Sequence, residues 1–396
     1  MIASARRMEI KTFQKSELNN EIGIVIGTRP GIIMFAPIIR EFQNKNIPHF
    51  VIHTGQHYSP NMDSYLFEDL SLHKPDYRLE EVEKKKTHGG QTAAMLEGIE
   101  TILLNRRPRI VLVGGDANTN LAGALAARKL HIGVGHVEAG ERSYDWRMPE
   151  EHNRVIIDHI SDYLFATNKN SVTNLKAENI RGKIILTGNP IVDASLRHLD
   201  IANKKSIALK KFNLKNEKYM VLTMHREENV DVYKNIRGGL QGVSNSSKNL
   251  GLRTLFLVHP RTRKRLQEFG LTTWVKNLPG IKMVNAVRYL DFLTIIANAS
   301  LIFTDSGGVQ QEACIHHVSC VTLRENTEWE ETITINANRL AGCCPNKILK
   351  AAMDALPMRT DWVVPFGNGT AAINITNFIS NELEKLKSIT IQKLTK

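Results

Sequence analysis

Short apolar runs, each followed by a segment with helical spacing, recur along this chain, and that alternation constrains its fold more than any other feature. The runs fall at 22–27, 49–53, 110–113, 133–137, 163–166 and 183–186; after a polar, lysine-rich stretch they resume at 219–223, 255–258, 281–284, 301–303 and 320–323. A run that is apolar at successive positions suits a parallel strand buried on both faces, with the intervening helices as cover. Strand and helix in alternation predict an α/β chain built on doubly wound parallel sheets. At 396 residues the chain exceeds one ordinary core, so the two series read as two domains facing a cleft. The expected division is a polar N-terminal extension at 1–20, a first domain at 21–194, a linker at 195–216 and a second domain at 217–377. A C-terminal helix with a basic tail follows at 378–396, expected to pack back towards the first domain.

Composition narrows the partners. The formal charge is +12, but the basic residues are scattered from Lys84 to the C-terminal tail, without the aromatic-interleaved stripe of a nucleic-acid module. Solvated surface charge that steers an anionic small molecule is the better reading, and no nucleic acid is expected. No apolar run approaches the roughly 20 residues that span a bilayer, and the first residues lack the apolar core of a secretory signal, so a cytoplasmic protein is expected. Cys314, Cys320, Cys343 and Cys344 form no C-x-x-C pair and read as free thiols; no metal is expected.

Ligands of open α/β sheets bind beyond the carboxyl ends of the strands, so the residues just after each apolar run are the candidates. Asp116 and Glu138 hold such positions, and Glu150 and Arg154 begin a helix after Pro149. Acidic groups gathered there can move protons or stabilise positive charge, although Glu150 and Glu151 also fit a plain complement to a helix dipole. Thr28-Arg29-Pro30-Gly31 joins strand to helix and offers N–H groups beside a fixed cation, a combination suited to a phosphate or to a simple connection. In the second series His225 and Arg226 follow one strand, the histidine as acid, base, phosphate donor or structural group. Ser306-Gly307-Gly308 follows another and opens a helix that carries Glu312; small residues there admit a phosphate, or merely close packing.

Taken in order, GTRP, HTGQHY, GGDANTNLAGALAA, HVEAG, MPEEHNR, GNPIVD, HREEN, HPRT, TDSGGVQQEA and PFGNG resemble the non-hydrolysing UDP-N-acetylglucosamine 2-epimerases from residue 22 to about 387. The resemblance implies two Rossmann-like domains in the GT-B arrangement, a UDP-sugar in the cleft, no cofactor and a homodimer. It assigns Asp116, Glu138 and Glu150 as acid/base carboxylates and His225 as an active-site histidine. Arg29 becomes a phosphate contact and Arg154 a further site arginine; Ser306, Gly307 and Gly308 become the diphosphate turn, Glu312 the ribose ligand and Phe292 the residue that packs on uracil. The implied chemistry is reversible C2 epimerisation of UDP-N-acetylglucosamine through loss and return of UDP. Gln56, His57 and Gln91 are candidates for a second, allosteric UDP-N-acetylglucosamine site. Three motifs depart from the family pattern, at four residues: Gly31 and Met34 stand where glutamate and lysine are usual, Glu141 where the residue is apolar, and Trp329 where arginine is common. These departures keep a modified UDP-sugar, or a binding protein with impaired turnover, as alternatives.

Overall fold

The computed structural model describes residues 18–56, 60–215, 217–356 and 360–394. Most of the N-terminal extension, His57 and the last two residues lie outside them. The first sheet has seven parallel strands: β1 (Asn19–Ile26), β2 (His49–His53), β3 (Tyr77–Arg78), β4 (Pro108–Gly114), β5 (Gly133–Ala139), β6 (Tyr163–Ala166) and β7 (Lys183–Leu186), in the order β3-β2-β1-β4-β5-β6-β7. The second has six: β8 (Tyr219–Thr223), β9 (Arg253–Val258), β10 (Ile281–Asn285), β11 (Leu301–Thr304), β12 (Cys320–Thr322) and β13 (Asn338–Leu340), in the order β10-β9-β8-β11-β12-β13. Every pairing is parallel, as the continuously apolar runs require: Ile22, Ile24, Val25 and Ile26 of β1 are all fully or almost fully buried. β3 and β13 add to the expected strands; with two and three residues, neither leaves an apolar run to read.

In each sheet the strand order reverses once, between β1 and β4 and between β8 and β11. The loops after these four strands therefore open into a crevice, and two crevices facing each other make the cleft. The stretch expected as helix and linker holds most of the helix Pro190–Lys205 and the short helix Ala208–Lys211. Helix 190–205 braces both halves. It packs on the helix Arg29–Asn44 and on the helices Tyr289–Ala297 and Gly307–Ile315, with Ser195 Oγ 2.7 Å from His316 Nε2. The last helix, Ala371–Leu394, lies on the first domain: Phe378 meets Tyr163 and Phe165 edge-on at 5.4 and 5.6 Å, and Asp193 accepts from the backbone of Ala371 and Ala372. No helix among the described residues is long and apolar enough to cross a membrane.

Candidate active site

The first wall is built on a turn that tolerates no side chain. A Cβ at Gly114 would stand 2.7 Å from the Phe35 ring and 2.9 Å from the Met34 sulfur, and Gly115 has a φ of +81°. Asn120 clamps this turn through both amide atoms, accepting from Gly114 N–H and donating to its carbonyl. Asp116 emerges from it, with 40% of its side chain exposed and Arg154 Nη2 at 2.5 Å. Beside it Glu138 sits where the β5–β6 register slips, at a φ of +70°, a left-handed conformation that a non-glycine residue adopts only when its surroundings hold it there. Asn189 Nδ2 donates to its carboxyl at 2.8 Å. Desolvation is the larger effect and raises the Glu138 pKa to about 7, with nearby Asp116 adding to it and the Asn189 hydrogen bond opposing it.

The helix Pro149–Ile160 gives its first-turn acids different tasks. Glu151 is buried, accepts from Ser143 N–H and Oγ and from Tyr144 N–H, and pairs with Arg154 at 3.1 Å. It clamps a loop. Glu150 keeps 38% of its side chain exposed and lies 4.0 Å from Arg226 of the opposite wall. Its neighbour therefore has a structural task, while Glu150 itself faces the cleft.

The second wall is organised by Asp305, at the end of β11, whose carboxylate accepts from the N–H groups of His225 and Arg226 and from Asn229 Nδ2, each at 3.0 Å. Its Oδ1 is 3.2 Å from His225 Nδ1. Burial works against ionisation here, yet the hydrogen bonds and charge of His225 and the donors from Asn229 and Arg226 hold Asp305 below the usual carboxylate range. The His225 ring packs 5.3 Å from that of His259, whose own pKa falls to about 4, first through desolvation and then through His225. Ser306 caps the helix Gly307–Ile315 without a side-chain bond to it, so the first-turn N–H groups lack the usual side-chain cap. A Cβ at Gly307 would collide with Glu328 Oε1, whereas one at Gly308 would meet open space, so close packing dictates only the first of these glycines. Glu312 is buried, and desolvation raises it to about 7 against the pull of Arg29. Arg29 in turn lies 5.5 Å over the Tyr289 ring, and half-buried Phe292 follows on the helix that Tyr289 begins.

The walls meet around a small cavity of about 30 Å³, where Asp116, Glu138, Glu141 and Arg154 face Glu328 and Trp329. Ten of the eleven expected site residues belong to the two strand-end loop clusters and the helices those loops enter; Phe292 stands apart, on the helix after β10. A match to the UDP-N-acetylglucosamine 2-epimerase family covers residues 40–380. The chain belongs to that family. A UDP-N-acetylglucosamine 2-epimerase of Methanococcus maripaludis is 49% identical over 91% of this chain and 99% of its own. The crystal structure of the Methanocaldococcus jannaschii UDP-GlcNAc 2-epimerase, in complex with UDP-GlcNAc and UDP, superposes with a TM-score of 0.86 at 47% identity, over 91% of this chain and 99% of that one. A UDP-2,3-diacetamido-2,3-dideoxy-D-glucuronate 2-epimerase of Pseudomonas aeruginosa is 35% identical over 90% of this chain and 98% of its own. The two facing sheets are thus the GT-B arrangement of this family, and the chain is an epimerase.

Within the epimerase, the departures from the family pattern converge. Met34 is buried, and its Cε and Glu138 Oε2 flank one point beside Gly115, at 3.9 and 3.3 Å. Glu141 is raised to about 8, mainly by desolvation, although Thr167, Ser171 and Asn168 all donate to it. Trp329 is buried on the far side of the same cavity. Gln56 accepts from Thr119 N–H and Oγ1, and Gln91 donates to the Lys85 carbonyl, so both have partners in their own domain. Sequence reasoning missed Asn189, Tyr289, Asp305 and Glu328. Asn189 and Asp305 each follow a strand by a residue or a few, the same signal that singled out Asp116. Tyr289 and Glu328 lie away from strand ends and offered no such signal.

Proposed function

We propose that this epimerase interconverts UDP-N-acetylglucosamine and UDP-N-acetylmannosamine. The observation that carries the reading is a pair of carboxyls in one cavity with opposite surroundings: Asp116 ion-paired to Arg154, and Glu138 raised to about 7. Such a pair can divide a proton abstraction and a proton return between them. The proton at C2 of a UDP-sugar is not beside a carbonyl, so direct abstraction is too costly. The C1–O bond breaks first, its electrons leave with UDP, and the oxocarbenium-like carbon develops positive charge that the surrounding carboxylates stabilise. One carboxylate then takes the C2 proton, giving a 2-acetamidoglycal. Proton return to the opposite face of C2, with UDP re-adding at C1, completes the inversion.

In this reading the N-terminal end of helix 307–315, with Ser306, Gly307 and Gly308, holds the departing diphosphate together with Arg29. Glu312 takes the ribose hydroxyls, Phe292 packs on uracil, and Glu150 and His225 assist proton movement from opposite walls. The test is incubation with UDP-N-acetylglucosamine in deuterated water: a second UDP-sugar with deuterium at C2 is expected, and no label with no new sugar would sink the proposal. A homodimer and a second, allosteric UDP-N-acetylglucosamine site are proposed from the family resemblance. Light scattering tests the first and the shape of the rate curve tests the second.

A further inference from the structure

The cavity between the walls has one conspicuous donor. Trp329 is 4% exposed, and its indole Nε1–H has no hydrogen-bond partner among the described residues. The backbone that carries the ring is tied down on both sides, and the ring itself is packed. Trp329 N–H donates to Thr327 Oγ1 at 3.1 Å, Thr327 Oγ1 donates to Gln310 Oε1 at 2.7 Å, and Thr332 Oγ1 donates to the Trp329 carbonyl at 2.6 Å. Phe366 packs edge-on against the ring at 5.2 Å, and the indole nitrogen is 3.2 Å from where a Cβ on Gly307 would stand. A buried donor held this firmly and left unmatched costs about 1–3 kcal/mol, so its acceptor is expected from a ligand.

The rest of the lining says what that acceptor is. Asp116, Glu138, Glu141 and Glu328 contribute carboxyl oxygens; Arg154 is committed to Asp116 and Glu151, Arg324 to Glu328 at 2.8 Å, and the charge of nearby Arg226 is shared among Glu328, Glu150 and Asp116. An anionic substituent would meet four carboxyls there. A neutral group that both donates and accepts suits the cavity, and about 30 Å³ admits a small substituent and not a whole sugar ring. C2 lies beside Asp116 and Glu138 if the proposed function is right, and on that reading its own substituent enters this cavity. We propose that Trp329 is a specificity-determining residue: its indole N–H donates to the carbonyl oxygen of the 2-acetamido group, whose N–H turns to a carboxyl oxygen of the cavity.

The test is calorimetric titration of UDP-N-acetylglucosamine, UDP-glucose and UDP into the unmodified protein and into Trp329→Phe, which keeps a ring against Phe366 but has no donor. UDP-N-acetylglucosamine should bind the variant about tenfold more weakly, with UDP-glucose and UDP unchanged; the UDP titration also reports that the variant is folded. Equal weakening of all three, or no weakening of any, overturns the proposal. So does a lack of preference for UDP-N-acetylglucosamine over UDP-glucose in the unmodified protein, a measurement that needs no variant. Binding is read without turnover, so a chain that shows the selective loss yet exchanges no deuterium fails the catalytic reading alone.

Discussion

Glu138 and Asp305 are strand-end carboxyls, one in each domain, and both are shielded from bulk water, yet their surroundings push them in opposite directions. Asp305 collects three N–H donors and the imidazole of His225, and it stays ionised below its ordinary range. Glu138 has the Asn189 amide as its hydrogen-bond donor, lies near another carboxylate, and rises to about 7. Asp305 is fully buried and Glu138 only partly so, yet Asp305 is the one held low, so the donors outweigh burial in setting the direction. Asp305 thus fixes the second wall, while Glu138, raised to about 7, suits the proton exchange that the proposed function gives it.

The comparison is broken most sharply by removing each carboxyl in turn. Glu138→Gln keeps the shape and the Asn189 contact but cannot exchange a proton, so kcat should fall by about 10²–10⁴, with thermal unfolding nearly unchanged. Asp305→Ala should do the reverse in emphasis. It strips the acceptor from the His225, Arg226 and Asn229 donors, and a loss of about 3 kcal/mol in unfolding free energy is expected, read by denaturant titration. A large stability loss in the first variant, or none in the second, would erase the distinction.

The contrast also marks how far sequence reading reaches. Asp116 and His225 were legible because an apolar run ends just before each, and in a parallel sheet that position faces the crevice. The sheets themselves were legible for the same reason, apart from the two edge strands too short to form a run. What stayed hidden was pairing at a distance. Asn189 meets Glu138 across 51 positions, and Thr327, which accepts from the Trp329 backbone N–H, bonds Gln310 across 17. Glu150 and Glu151 show the same limit locally: adjacent acids in one helical turn look alike as letters, and only the burial of Glu151 beneath Ser143 and Tyr144 separates them.

Glu141 extends the comparison to stability. Its folded pKa, raised to about 8, lies above that of the unfolded chain, near 4.3. The folded state therefore holds its proton more tightly, and the resulting stabilisation is fully present below about pH 4 and is lost as pH rises towards 8. Glu141→Gln retains a neutral side chain that can still accept from Thr167 and Ser171. Its stability relative to the parent should rise by about 4 kcal/mol between pH 5 and pH 9, a difference that thermal unfolding at the two pH values will reveal. Equal pH dependence in the two proteins would show that Glu141 is ionised in the fold.

The smallest expected effect is the most informative about Glu138. Asn189 does two things at once: its Oδ1 caps the helix Pro190–Lys205 by accepting from Ile191 N–H at 3.0 Å, and its Nδ2 donates to Glu138. Its backbone N–H also donates to the Phe366 carbonyl at 2.8 Å, which ties it to the segment that backs Trp329. Asn189→Asp preserves the cap, since aspartate serves there as well as asparagine, but replaces a donor to Glu138 with a second negative charge. Both changes oppose ionisation of Glu138, so its pKa must rise further. The limb of the pH–rate profile that reports Glu138 should move to higher pH by about one unit, equivalent to about 1.4 kcal/mol, with the melting temperature at pH 6 little altered. A purely structural Asn189 would lower stability or kcat without moving that limb. A profile that stays where the parent's lies would detach Asn189 from the carboxyl it touches.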